Sequence, residues 1–438
     1  MEPRVTAGRL EHLNGVAVNA AKNVEGSLNL HVRRGVVLTA VQQHETTSPS
    51  LLLSAAIVFV VRAVMLMLGP LLVALANDFG TSIAGSGQLA AATFVTFGIT
   101  APLVGPISDT YGRRPVLLVG VLLMALGVLG SGAAWNYGSL MATRLITGVG
   151  LAMLPPTIMA ALADSLPPEK LGKAVGFMHS ASWVGVALGV PAIALIGYIG
   201  GWRLPFYITG GLSLVLWVML YLSLPSSQRR LGQSIDLINH FKVIGRQSAS
   251  WYVLIANAAQ AAALVGLMTY FAANMIESYG WDEAKTAPGL AMMGVGAVIG
   301  SFIGGSIAGR AHHLEWLAAI SLTSGAVTGL FFVLDVHAWI VVGVAFAASV
   351  LVSVSVPVFT TLNMNLAGKS RGTAGGLFAT SNQFGGVVGA SAGGLMLSLG
   401  GYMAVGLLCL VATMLSASVV GLIMSRSPVF RQGFSLDK

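Results

Sequence analysis

The sequence predicts an all-α membrane protein of twelve transmembrane helices arranged as two pseudo-symmetric six-helix bundles. Three observations predict it. The 438 residues are 55% hydrophobic and only 9% charged, with a mean hydropathy of +0.82, which is more apolar surface than a soluble core can hide. About a dozen apolar runs of roughly 20 residues, long enough to cross a hydrocarbon core of about 30 Å as helices, are separated by short polar breaks. The second half of the chain also repeats glycines of the first at an offset of 200 residues.

Taken in order, residues 1–50 are polar and mixed in charge and read as a flexible cytoplasmic tail. Met1 to Leu30 lacks the apolar core of a signal peptide. The N-terminal bundle occupies 51–224, with spans near Leu51–Leu75, Ser86–Gly105, Val116–Trp135, Ser139–Ala163, Ala174–Ile199 and Phe206–Leu224. A polar cytoplasmic linker, 225–250, precedes the C-terminal bundle, 251–425, and a cytoplasmic tail closes the chain at 426–438. The second six spans fall near Trp251–Met275, Ala287–Ala308, Trp316–Val333, Ala338–Leu362, Thr373–Leu399 and Tyr402–Met424.

Charge orients these spans. With the N-terminus inside, cytoplasmic segments hold 19 of the 23 Lys and Arg, the outer loops hold only Arg203 and Lys285, and Arg62 and Arg144 lie within spans. That bias places both termini in the cytoplasm, in a plasma (inner) membrane. The net charge of +8 is therefore a topology signal, and the basic residues lack the aromatic interleaving of a nucleic-acid groove.

The repeat is specific. Gly172, Gly176, Gly185, Gly189, Gly200 and Gly201 recur as Gly372, Gly376, Gly385, Gly389, Gly400 and Gly401, where chance predicts roughly two or three matches. The same offset pairs Phe79-Gly80 with Tyr279-Gly280 and Gly105 with Gly305, but sets Gly309 opposite Asp109.

The most informative stretch is Gly105-Pro106-Ile107-Ser108-Asp109-Thr110-Tyr111-Gly112-Arg113-Arg114-Pro115-Val116, read as a charged loop between spans 2 and 3. Its Gly, Asp, aromatic, Gly and Arg-Arg positions resemble the loop signature of the major facilitator superfamily. Arg144, Gly148 and Gly150 on span 4 are similar to a second motif of that family, in its drug:proton antiporter type, and Gly201-Trp202-Arg203-Leu204-Pro205-Phe206 fits the family pattern at the start of span 6. The span 5 motif is met in part: Gly176, Gly185 and Gly189 keep its spacing, but Pro191 comes one residue late and Ile193-Ala194 replaces a glycine pair. The resemblance implies gating or coupling roles for Gly105, Asp109, Gly112, Arg113, Arg114 and Arg144. Asp109 and Arg113 would form a latch against the start of span 11 near Gly372 and Thr373, the alternative being that Arg113 and Arg114 only anchor topology, and the counterpart of Arg144 is associated with proton coupling. Snorkelling to the outer interface is the rival account of Arg144.

Candidate substrate contacts follow from polar residues inside spans. Arg62, near the middle of span 1, carries a charge that costs roughly 2.5–3.5 kcal/mol at a helix centre, and no acid falls within an expected span to pair with it. It is read as lining a central cavity and attracting an anionic or strongly hydrogen-bonding group, with satisfaction by Asn, Gln or backbone carbonyls as the alternative. His179 is the in-span group that titrates near neutrality, with Ser182 and Trp183 on its face and Asn382 and Gln383 at the equivalent places of span 11. A lone His among small residues is more often a hydrogen-bonded packing residue than a coupling group. Asn257, Gln260 and Tyr270 on span 7, and Gln88 on span 2, either face the cavity or tie helices together.

Enzyme signatures are missing from the sequence. Gly368-Lys369-Ser370 lacks the upstream glycine of a phosphate loop, His312-His313 lacks helical metal-site spacing, and the single Cys409 allows no disulfide framework. No cofactor or metal is implied. The expected function is secondary active transport of a small organic solute, anionic if Arg62 binds it, by a monomer in the bilayer, in the form of proton-coupled efflux of a drug or metabolite. Uptake or facilitated passage of an organic anion is the alternative, and a non-transporting scaffold or sensor is the alternative of another class.

Overall fold

Each apolar run becomes a helix because no other structure satisfies its backbone in lipid without an edge. A computed structural model describes residues 50–223, 248–308, 312–367 and 371–426. The expected N-terminal tail, nearly all of the linker, the C-terminal tail, Gly309 and Gly368–Ser370 lie outside the described residues.

In the first bundle, α1 covers Leu51–Phe79, capped by the Ser50 hydroxyl, which accepts from Leu53 N at 3.1 Å, and interrupted by a 3-10 turn at Gly69–Leu71 where Pro70 lacks an N–H. Next come α2 (Ile83–Tyr111), α3 (Arg113–Gly132) and α4 (Tyr137–Ser165). Helix α5 comprises Pro168–Val184, a π turn at Gly185–Gly189 and Val190–Gly200, and α6 is Arg203–Ser223. The second bundle has α7 (Ser248–Tyr279), α8 (Glu283–Ile307), α9 (His313–Val333) and α10 (Ala338–Ala367). Helix α11 starts as Arg371–Val387, passes a π turn at Val388–Ala392 and continues into the run Gly393–Arg426. That run breaks at Gly400 and Gly401, whose φ values are −151° and 64°, and α12 is the part beyond the break. Eleven helices among the described residues are long and apolar enough to cross a membrane; the last covers 52 residues, and its break makes the spans twelve.

Several expected boundaries need correction. The charged signature is not a loop: α2 runs on through Tyr111 and only Gly112 turns, because Pro106 sits inside α2 without ending it and Arg113 already starts α3. The acids left outside the spans fall in terminal helical turns instead, with Asp78, Asp109, Asp164 and Glu277 near the ends of α1, α2, α4 and α7.

The backbone records the duplication more sharply than the side chains do. Every described residue with positive φ has a partner 200 positions away: Gly80 (57°) with Gly280 (64°), Gly112 (91°) with His312 (63°), and Gly201 (73°) with Gly401 (64°). Packing repeats too, since α2–α4, α3–α6 and α1–α5 contacts are mirrored by α8–α10, α9–α12 and α7–α11. At the end of the molecule opposite the signature, Asp78 bonds Arg203 at 3.1 Å to tie α1 to α6, and Tyr402 donates to Glu277 at 2.8 Å to tie α12 to α7.

His312 alone among these six positions carries a side chain in left-handed backbone. Its conformation costs about 1 kcal/mol that Gly112 does not incur. His312→Gly should therefore raise the thermal unfolding midpoint in detergent and Gly112→Ala should lower it; equal responses would mean the two turns are not equivalent.

Candidate functional site

The two bundles meet along α2–α11, α5–α8 and α1–α7. At the end opposite the signature the seam is tight. A Cβ built on Gly294 of α8 would strike the backbone of Ala187 on α5, and one on Gly394 of α11 would come within 2.9 Å of the Ala84 carbonyl on α2. Gln88 Nε2 donates across the seam to the Ser391 carbonyl at 3.1 Å, and Tyr270 Oη donates to the Ala390 carbonyl. Both acceptors belong to the π turn of α11, where the widened helical ladder presents carbonyls to side-chain donors. Thr380 Oγ1 donates to the Gly98 carbonyl at 3.3 Å, near mid-membrane. Gln88 and Tyr270, expected near substrate, are thus built into the seam.

Arg62 sits deep in the bundle yet stays partly accessible, as a side chain on a cavity wall does. Its guanidinium lies over the Trp183 ring at 5.2 Å from the centroid, so α1 and α5 together fix its plane. One Nη reaches Met65 Sδ at 3.8 Å, while the buried Nε has no hydrogen-bond partner among the described residues. No described acid forms an ion pair with it. His179, one turn before Trp183 on α5, is exposed.

Across the molecule, Asn257 Nδ2 of α7 donates to Ser381 Oγ at 2.7 Å and to Asn382 Oδ1 at 3.3 Å on α11, forming a second polar group. Gln383 is buried beside Gly98 of α2. Gln260 turns into its own bundle instead, donating to Ser324 Oγ of α9 at 2.9 Å and leaving its Oε1 buried without a partner among the described residues.

Arg144 contrasts with Arg62. It is fully buried two turns inside α4, donating from Nε to Ser131 Oγ of α3 at 3.1 Å and from Nη2 to Thr147 Oγ1 at 2.9 Å, with its guanidinium over the Phe206 ring of α6. It points into the N-terminal bundle and does not reach outward to the interface, because Ser131, Thr147 and the ring satisfy it there. Thr147 was legible as a hydroxyl three residues on; Ser131 and Phe206 come from other helices, and no spacing pointed to them.

At the signature, Arg113 pairs with Asp109 one turn back and reaches Asp164 at the end of α4, 3.1 Å away. It also donates to Ser108 Oγ. Asp164 was not singled out from sequence. Arg114 donates to the Tyr221 carbonyl of α6 at 3.2 Å and covers that ring. Asp109 keeps a side chain 57% exposed, and its described ion pair stays within its own bundle. The side chains of Gly372 and Thr373 lie outside the described residues.

A separate crevice of about 430 Å³ between α1, α5 and α6 is lined by Phe59, Val60, Phe177, Val184, Leu212 and neighbours, nearly all apolar, and Arg62 is not on its wall.

This arrangement of two duplicated bundles, joined at one end and carrying polar groups between them, has counterparts among known proteins. The chain is similar to the quinolone resistance protein NorA of Staphylococcus aureus (23% identical over 73% of this chain and 82% of that protein). A second relative is the probable sulfoacetate transporter SauU of Cupriavidus necator (24% identical, 71% and 78%). Matches to curated relatives span from 32% to 87% of their length. Among solved structures, a bacterial homologue of the human lysosomal transporter Spinster, in an inward-facing and unoccupied conformation, superposes with a TM-score of 0.72 over 86% of this chain and 98% of that one, at 16% identity. The profile of the Major Facilitator Superfamily matches residues 54–390, and the chain belongs to that family of multi-pass membrane transporters of small solutes.

Proposed function

We propose that this transporter carries a small organic anion by alternating access, with Arg62 taking the anion's charge. The observation that carries the reading is a guanidinium deep between helices, stacked on Trp183, without a described acid and with its Nε unpartnered. A buried charge left this way is costly, and an arriving carboxylate or sulfonate would offset that cost with a forked, charge-assisted pair. Trp183 holds the fork in one plane, and Asn257, Asn382 and Gln383 supply uncharged contacts from the other bundle. The name of the SauU relative, which speaks of sulfoacetate, is in keeping with an anionic substrate.

In this reading the positive-inside bias puts both termini and the signature end in the cytoplasm, and the contacts of Gln88 and Gly394 at the opposite end belong to the outer closure. The Asp109–Arg113–Asp164 cluster then belongs to a latch that engages the start of α11 when the cytoplasmic end closes. A second reading, proton-coupled export of an uncharged or cationic drug, is favoured by the buried Arg144 with Gly148 and Gly150 and by the likeness to NorA. It leaves Arg62 without a role in substrate selection.

Flux into proteoliposomes, screened over anionic, neutral and cationic solutes with and without a pH gradient, separates the readings. Arg62→Ala should weaken binding of the transported anion by roughly 10- to 100-fold, the loss of one charge-assisted contact, and Arg62→Lys should fall between because the ammonium lacks the fork. Preferred transport of cations, or flux unchanged in Arg62→Ala, would sink the anion reading, and no solute flux at all would favour the scaffold. Asp109→Asn should slow transport at equal expression while leaving substrate binding intact; wild-type rates would dismiss the latch.

A further inference from the structure

The apolar crevice between α1, α5 and α6 opens away from the space between the bundles. At about 100° per residue, Phe177, Ala181 and Val184 share one side of α5, while His179 and Trp183, the ring beneath Arg62, lie on the other. Its third wall, Leu212 and Leu216, belongs to α6, which packs on α1, α3 and α5 of its own bundle. The crevice therefore faces lipid, and Phe177, Val184 and Leu212 at its rim are exposed. Its wall on α1 begins one turn beyond Leu51 and its wall on α6 ends two turns before Ser223, so it lies in the half of the membrane nearer the signature. The polar side chain in it, Ser180, donates to the Gly176 carbonyl of its own helix at 3.0 Å, so no free donor lines the walls for a polar solute.

Positive charge sits directly above this apolar slot. Lys170 and Lys173 continue the same side of α5 toward the signature end, two turns and one turn before Phe177. Both are exposed, and neither forms an ion pair among the described residues. Asp164 at the end of α4 is taken by Arg113, and the side chain of Glu169 lies outside the described residues. Long lysine stems carry their amines out to the headgroup layer. The second half keeps neither feature: Ser370 and Thr373 stand opposite the lysines, and Ala412 and Ser416 opposite Leu212 and Leu216. We propose that the crevice is a binding site for an anionic phospholipid of the leaflet at the signature end, with one acyl chain between α1, α5 and α6 and the phosphate held by Lys170 and Lys173. Hydrocarbon walls below two cations complement such a lipid, whereas a zwitterionic lipid matches the walls alone. Helices α1 and α5 also fix Arg62 over Trp183, and Phe59 of the crevice is one turn from Arg62, so the acyl chain braces from behind the helix pair that carries that guanidinium.

Native mass spectrometry of the full chain in detergent, titrated with phosphatidylglycerol or with phosphatidylcholine of the same acyl chains, reads the headgroup. The first phosphatidylglycerol bound should be preferred by roughly 5-fold per lysine. Lys170→Gln with Lys173→Gln should abolish that preference, and Lys285→Gln in an outer loop should leave it unchanged. Equal binding of the two lipids by the wild type, or a preference that survives the double substitution, overturns the proposal. Position is read separately in proteoliposomes with a phosphatidylglycerol that carries a photoreactive diazirine in its acyl chain. Labelling should concentrate on residues 55–60, 177–184 and 212–216 and fall when excess phosphatidylglycerol, but not phosphatidylcholine, competes. Labelling spread evenly over the lipid-facing side chains of all helices means ordinary boundary lipid and overturns the site. Neither readout involves Arg62→Ala or solute flux, so the lipid site and the anion reading stand or fall separately.

Discussion

The seam between the bundles is the constraint on which the rest depends. Two apolar bundles in a bilayer gain little by burying hydrocarbon against each other, because lipid tails serve as well. What holds them is close approach: Gly294 against Ala187, Gly394 against Ala84, Gly87 against the Tyr270 hydroxyl, and the Gln88 donor on the Ser391 carbonyl of the α11 π turn. All lie toward one end. Toward the signature end, Gly105, Gly176, Gly305 and Gly376 meet no described atom of another helix within 4 Å of a built Cβ.

Within this frame the two buried arginines show how one residue type is put to two uses. Arg144 is surrounded by Ser131, Thr147 and Phe206 inside a single bundle, so its charge is compensated by local dipoles and a ring face. Arg62 has the ring face of Trp183 but lacks the hydroxyls, and its Nε stays unpartnered among the described residues. Only the second is left with binding capacity for something that arrives from outside the fold. The C-terminal bundle places neutral Ala262 and Val344 at the equivalent positions, so the positive charge is confined to one half of a duplicated structure.

The duplication is kept where backbone geometry demands it and lost where charge chemistry did the work. Gly80, Gly201 and their counterparts keep positive φ in both halves because each turn between helices needs it, and His312 keeps a positive φ even without glycine, at a ψ of 17° where Gly112 has 158°. Arg113 clamps Asp109 and Asp164 only in the first half. These are partly exposed pairs of modest strength, and their value lies in positioning the end of α2 more than in stability.

The sequence alone determined the span count, the two bundles, the repeat and the family signature, since each follows from local composition or spacing: about 20 apolar residues make a span wherever they occur. It also isolated Arg62 and Arg144 as costly charges. It could not separate their roles, because the partners that distinguish them, Ser131, Phe206 and Trp183, come from other helices. Nor could it tell that Gln88 and Tyr270 belong to the seam, that Gln260 turns to Ser324, or that the signature spans the last two turns of α2, the Gly112 turn and the start of α3. Those outcomes depend on which helical faces meet. Between helices that are apolar all round, only tertiary packing fixes the rotation and the end at which they touch.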